Sequence, residues 1–255
     1  MNQFFVEQSA IRDNSIIITG DDVKHINNVL RLRVGEEIQV VGLHNQLTYF
    51  CEIRELDKNH VECLITDVQS ESTELPVYIT LYQGLPKGDK LEMVIQKAVE
   101  MGASQIVPVS MKRSVMKIDP KKAENKQNRW QAIADSAASQ SKRTVLPQVS
   151  GVMTYGQAVQ QAKEESDVIL LPYELASGMN GSRAVMEAIR DKVISQADTK
   201  LKIAIFIGPE GGFDDSEIDM AKDAGAQVIT LGRRILRTET APIAILAWLT
   251  YMLDS

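Results

Sequence analysis

The sequence predicts an α/β protein in which a parallel sheet covered by helices follows a small β-rich domain. Three observations carry this. From Val77 onward, near-continuous apolar, β-branched runs alternate with segments of helical period, the pattern of a sheet buried on both faces. Residues 1–70 instead hold five short β-branched or aromatic runs separated by turn residues. Near the C-terminus, two glycine-bearing stretches each begin where an apolar run stops and continue into a helical pattern.

In chain order, Gln3–Val6, Ser15–Thr19, Glu37–Val41, Thr48–Glu55 and His60–Val68 read as strands. One helix interrupts them. Asp21 or Asp22 caps it, Val23, Ile26, Asn27 and Leu30 set its period, and it ends near Arg31-Leu32-Arg33. Ser70–Pro76 is a polar linker, which separates a domain of residues 1–70 from one of residues 76–255. Val77–Tyr82 is a strand, Gly84–Lys90 a turn, and Leu91, Val94, Ile95, Ala98 and Val99 mark a helix ending at Gly102. Ile106–Val109 is a strand. Asp119-Pro120 starts a helix whose buried face is Trp130, Ile133, Ala134, Ala137 and Ala138. Later strands are Val168–Leu171, Leu201–Ile207 and Val228–Leu231. Later helices span roughly 182–195, 216–224 and 240–253, with Asp214 and Glu217 as a capping box for the middle one.

The chain has 255 residues, 24% charged and 44% apolar, which is ordinary globular composition. No apolar run is long enough to span a bilayer, and no signal pattern opens the chain. Cys51 and Cys63 lack metal-type spacing, so no metal is expected, and a cytoplasmic location fits their use as buried side chains. Net charge is −6, which argues against a nucleic-acid partner until its distribution is considered. Residues 1–70 carry −5, residues 84–145 carry +6 and the remainder −7. A basic segment inside an acidic protein is a local footprint for a phosphate backbone, although solvated helix faces produce the same run.

The two stretches are Ile205-Phe206-Ile207-Gly208-Pro209-Glu210-Gly211-Gly212-Phe213 and Leu231-Gly232-Arg233-Arg234-Ile235-Leu236-Arg237-Thr238-Glu239-Thr240-Ala241-Pro242. At the carboxyl edge of a parallel sheet they form two walls of one pocket. They match neither the Walker pattern nor the dinucleotide fingerprint. As isolated features they are also compatible with tight turns.

Together they resemble the signature loops of the SPOUT methyltransferases. The wording is similar to the ribosomal RNA small-subunit methyltransferase E branch. The resemblance spans nearly the whole chain and is densest after residue 200. It implies a SPOUT-type α/β domain with a trefoil knot and a parallel sheet, behind a small PUA-like β-barrel that binds RNA. It further implies transfer of a methyl group from S-adenosylmethionine (SAM) to N3 of a uridine in small-subunit ribosomal RNA, by a homodimer. The runner-up readings are a SPOUT enzyme acting on another RNA such as tRNA, and a non-catalytic RNA-binding protein of the same fold. By resemblance, SAM lies among Leu171, Pro172 and Tyr173, the segment Ile207, Gly208, Pro209, Glu210, Gly211 and Gly212, and the segment Leu231, Gly232, Ile235, Leu236, Arg237 and Thr240.

Methyl transfer needs in-line positioning and a place for the N3 proton. Arg237 is the candidate stabiliser of a uridine anion. Glu210 is the candidate proton acceptor, or else a ligand of backbone N–H groups. None of His25, His44 and His60 sits in a motif that demands it. Candidate RNA contacts are Arg31 and Arg33 in the first domain, and Lys87, Lys90, Lys97, Lys142 and Arg143 in the basic segment. Three positions depart from the family pattern: Gln3 stands where arginine is usual, Ser139 where glutamate is frequent, and Arg233 where proline is common.

Overall fold

β-Branched and aromatic runs at the N-terminal end pair into one sheet, and the apolar runs after Val77 into another. The computed structural model describes residues 1–174, 178–196 and 199–254. They form two compact units, one of residues 1–74 with 138–146, the other of 75–137 with everything from Pro147 onward.

The first unit holds β1 (Asn2–Val6), β2 (Ser15–Thr19), a short helix α1 (Asp21–Lys24), β3 (Glu37–Gly42), β4 (Thr48–Leu56) and β5 (His60–Gln69). Sheet order is β1-β3-β4-β5-β2; β1 and β3 run parallel and the other pairs antiparallel. Period-two alternation sends Ile16, Ile18, Ile38, Val40, Ile53 and Val61 inward with Cys51 and Cys63. Burial pushes both thiols up to about 12. A disulfide reagent at pH 8 is therefore expected to titrate neither cysteine until the protein unfolds; rapid native labelling would contradict the packing.

Two local expectations change here. The helix after Gly20 ends at Leu30, just before the expected Arg31-Leu32-Arg33, but it is not α-helical throughout. It turns into a π-turn at His25–Leu30 and stops at Arg31, which sits in the left-handed region at φ 55°. The wide turn closes through Arg31 N–H donating to Ile26 O, which also accepts from Leu32 N–H at 3.1 Å. Gly20, not an aspartate, is its N-cap, and Asp21 instead pairs with Lys24 at 2.8 Å. Further on, Asp57 Oδ1 accepts from the N–H groups of Asn59 and His60, and Oδ2 lies 3.1 Å from His60 Nδ1. The acidic and imidazole groups gathered there serve the β4–β5 turn.

The segment 138–146 belongs to the first unit, an excursion that a domain running unbroken from 76 to 255 did not anticipate. Arg143 is the reason. Its guanidinium donates to the Glu74 carboxylate through Nε at 3.1 Å and through Nη2. Glu74 Oε1 also accepts from Thr144 N–H at 3.0 Å, and Gln3 Nε2 donates to Arg143 O at 2.7 Å. Gln3, where the family pattern has arginine, is thus a buried structural group in this chain.

The second unit holds β6 (Val77–Gly84), α2 (Lys90–Glu100), β7 (Gln105–Ser110), α3 (Pro120–Gln140), β8 (Gln148–Val149), β9 (Met153–Thr154), α4 (Tyr155–Glu165), β10 (Val168–Pro172), α5 (Met179–Ser195), β11 (Leu201–Ile207), α6 (Asp215–Asp223), β12 (Gln227–Ile229) and α7 (Ala241–Leu253). The last turn of α3 lies in the excursion. All sheet pairs are parallel, in the order β12-β10-β11-β6-β7-β8, with β9 also on β7. Tyr82 and Phe206, on adjacent central strands, stack at 4.6 Å.

The Asp214–Glu217 capping box forms as expected. Helix α4 escaped the sequence reading, although Thr154 and Gln157 form a second capping box at its start. β12 stops at Ile229 rather than Leu231, because Thr230 N–H leaves the ladder and donates to Ser182 Oγ at 2.8 Å. Among the described residues no helix is long and apolar enough to cross a membrane.

Candidate functional site

Because the second sheet is parallel, the segments after β6, β10, β11 and β12 leave from one edge. There they bound a cavity of about 370 Å³. Backbone and side chains of Gly208–Gly212 form one wall, and Ile235–Thr238 the other; Pro172 closes one side and Lys90 stands on the rim. A smaller cavity of about 70 Å³ adjoins it, lined by Pro172, Tyr173, Leu231 and Gly232 together with Ile235 and Leu236. The two expected walls therefore face one another. Two of the expected lining residues do not line either cavity: Leu171 is buried in the core below, and Thr240 is the N-cap residue of α7.

The walls are tied by a buried hydrogen-bond chain. Gln83 Nε2 donates to Thr238 Oγ1 at 3.0 Å, and the Thr238 hydroxyl donates to Gly208 O at 2.7 Å. Neither residue was singled out from sequence. The available signal was a glutamine closing the apolar strand β6, where a buried amide requires a partner.

The glycines serve the protein's own close packing. A Cβ on Gly84 would lie 2.7 Å from Pro209 N, and one on Gly211 would lie 2.9 Å from Arg113 Cβ. Gly232 has φ +117° but open space around it. Gly84→Ala is therefore expected to cost about 1–3 kcal/mol through overpacking against the 208–212 backbone, and Gly232→Ala a similar amount through backbone strain at positive φ rather than through a clash. Thermal melting of the two variants measures both costs; a Gly84→Ala protein as stable as the parent would refute the close approach. Arg113, unnoticed in the sequence, braces this wall: its Nη1 donates to Gly211 O at 3.3 Å and its Nη2 lies 3.6 Å from Asp214. Hydrogen bonds from the Ser216 hydroxyl, Lys112 and Ser216 N–H pull the Asp214 carboxyl down to about 2.

Charged groups gather on the rim. Lys90 Nζ donates to Glu210 Oε1 at 2.9 Å and lies 3.4 Å from Glu239 Oε2. Both Glu210 oxygens accept from Lys87 N–H, at 3.1 and 3.2 Å. Burial raises the Glu210 carboxyl, and the bonds from Lys90 and from backbone N–H groups more than offset this, leaving it below the usual range. The bond to Glu210 raises the Lys90 ammonium. With the carboxyl lowered and the ammonium raised, the pair stays charged across the neutral range. Arg237 is 81% exposed at its side chain, with Nη1 4.0 Å from Glu239 Oε1. Glu210 thus accepts from a backbone N–H and from Lys90.

The expected RNA contacts separate into groups. Arg31 and Arg33 are exposed, as is Lys87, and none of them forms an ion pair among the described residues. Lys97 pairs with Glu100 at 2.8 Å, and Lys142 Nζ donates to Met1 O. Lys90 belongs to the rim network. Arg143 is withdrawn from the set: it is 3% exposed, and its charge is engaged by Glu74.

Comparison with known proteins agrees with this geometry. Residues 73–250 match the family described as RNA methyltransferase domain, and residues 18–66 the one described as RNA methyltransferase PUA domain. The chain is 36% identical over 257 residues to the ribosomal RNA small subunit methyltransferase E of Bacillus subtilis, covering 100% of this chain and 98% of that one. It is 32% identical to the Synechocystis protein of the same name, covering 98% of this chain and 77% of the relative. A ribosomal RNA small subunit methyltransferase E from Neisseria gonorrhoeae, solved bound to S-adenosyl methionine, superposes with a TM-score of 0.83 at 29% identity. That match covers 99% of this chain and 98% of the other.

Proposed function

The chain belongs to the ribosomal RNA small subunit methyltransferase E family, and from that premise we propose that it transfers a methyl group from SAM to N3 of a uridine in small-subunit ribosomal RNA. The observation that carries this is the cavity where the two glycine-bearing walls meet beneath Arg237. Its volume of about 370 Å³ lies in the range of small-ligand sites. Its lining suits a nucleoside donor: backbone from Gly208–Gly212 and apolar side chains of Ile207, Ile235 and Leu236, with the charged Lys90, Glu174, Glu210 and Arg237 among the other lining residues. When bound, SAM supplies an electrophilic methyl group. The protein's own work is to hold both reactants in line and exclude water. Arg237, at the mouth, has the planar donors that stabilise charge on a uracil ring losing its N3 proton. Glu210, already bonded to Lys87 and Lys90, shapes the rim.

In this reading residues 1–70 are the PUA-like RNA-binding domain, with 138–146 folded into it, and residues 76–255 are the SPOUT domain. The walls belong to a trefoil knot, the arrangement the family resemblance implies. The chain works as a homodimer. Support comes from α7, which buries Ile245, Leu246, Leu249 and Leu253 but leaves Ile243, Trp248 and Met252 half-buried and Tyr251 88% exposed. A ribosomal RNA substrate fits a cytoplasmic location.

Of the expected RNA contacts, Arg31, Arg33 and Lys87 are the exposed cations without an ion pair among the described residues. Replacing Arg33 and Lys87 by glutamine is expected to flatten the log–log salt dependence of RNA affinity by roughly 0.7–0.9 per lost contact. An unchanged slope would mean that both side chains only solvate the surface. The function is tested by mapping N3-methylated uridines in small-subunit RNA from cells with and without the gene. Identical maps would sink the proposal.

A further inference from the structure

Four charged residues line the cavity: Lys90, Glu174, Glu210 and Arg237. A fifth, Glu239, does not line it, yet its carboxylate lies between Lys90 and Arg237, which do. Glu239 Oε2 is 3.4 Å from Lys90 Nζ, and Oε1 is 4.0 Å from Arg237 Nη1. Glu239 is 13% exposed, and its Oε2 is buried without a hydrogen-bond partner, so its contact with Lys90 is an ion pair lacking hydrogen-bond alignment. A carboxylate in that state has a cost that nothing in local packing explains.

We infer that Glu239 is a positioning residue for Arg237, anchored in turn by Lys90. The inference rests on the reading that Arg237 acts on the reacting base. An exposed arginine samples many rotamers, and ordering it opposes the reaction. A carboxylate fixed beside it biases the guanidinium toward the mouth of the cavity. Glu239 can be fixed because it is mostly shielded from water and held from behind by the Lys90 ammonium. Lys90 is itself kept in place by the 2.9 Å bond to Glu210. The four groups form a row, Arg237–Glu239–Lys90–Glu210, with balanced charge. A separation of 4.0 Å is loose for an ion pair, which leaves the guanidinium room to reach a base at the mouth while the carboxylate limits its range. The row also explains why Lys90, in a basic segment, is not a phosphate grip: its charge already serves two carboxylates.

The test is a double-mutant cycle read by single-turnover transfer of labelled methyl from SAM to small-subunit RNA, both saturating. Total label is counted, so the result is independent of which atom is methylated. Glu239→Gln is expected to slow transfer about tenfold, with SAM affinity and melting temperature held, and to add no further slowing in an Arg237→Ala background. Lys90→Met gives a smaller slowing that also vanishes in that background, and Lys90→Arg restores it. If Arg237→Ala transfers methyl at the parental rate, the earlier reading of Arg237 fails. If that variant is slow while Glu239→Gln is normal, or the two effects multiply, the positioning role is overturned. If Glu239→Gln does not fold, Lys90→Met decides: a normal rate at saturation, or a change in RNA affinity alone, overturns the inference.

Discussion

Arg237→Ala is expected to lower single-turnover methylation about 100-fold or more, the usual cost of losing one preorganised donor. The guanidinium stands at the mouth of the cavity, largely in water, with no hydrogen bond to the protein core. Its removal should therefore leave the melting temperature within about a degree, since surface substitutions of this kind stay within roughly ±0.5 kcal/mol. Lysine should restore only part of the rate, because a point charge lacks the two-donor fork that fits a flat ring. The measurement is transfer at saturating SAM and RNA beside a thermal melt. Normal turnover, or a loss that tracks unfolding, would end the assignment.

The second large effect concerns stability. Glu74 and Arg143 are almost fully shielded from water, and the Glu74 carboxylate carries the bonds that bring 138–146 into the first unit. Glu74→Gln removes the negative charge that Arg143 is bonded to while keeping the side chain's shape. Breaking one half of a buried pair costs about 3–5 kcal/mol. Chemical denaturation should show that loss, with much of it recovered in Glu74→Gln/Arg143→Met, where no buried charge is left. A loss below about 1 kcal/mol, typical of a surface pair, would mean that the excursion is held by something else.

What the sequence determined by itself is the set of pieces and the site's two walls. Ten strands were legible from β-branched runs, because side-chain alternation and helical period are local properties of a chain. Apart from α4, whose capping box was a local signal passed over, the misses are where local signals are weak. β8 and β9 have two residues each, and the π-turn at His25–Leu30 differs from an α-turn by one residue of closure. The glycine-bearing stretches were readable as pocket walls because each sits at a strand's end, and a parallel sheet delivers strand ends to one edge.

What only the tertiary structure decided is which charges meet. Lys90 and Glu210 are 120 positions apart, Arg143 and Glu74 69, and Gln83 and Thr238 155. Nothing in a window of sequence distinguishes a lysine that binds two carboxylates from one that faces a phosphate. A run of positive charge is a property of composition, whereas its availability depends on partners brought together by the fold. Coulombic and hydrogen-bond energies depend on distance in space. That is why the basic segment lost Arg143 to the interior of the first unit and Lys90 to the rim of the cavity.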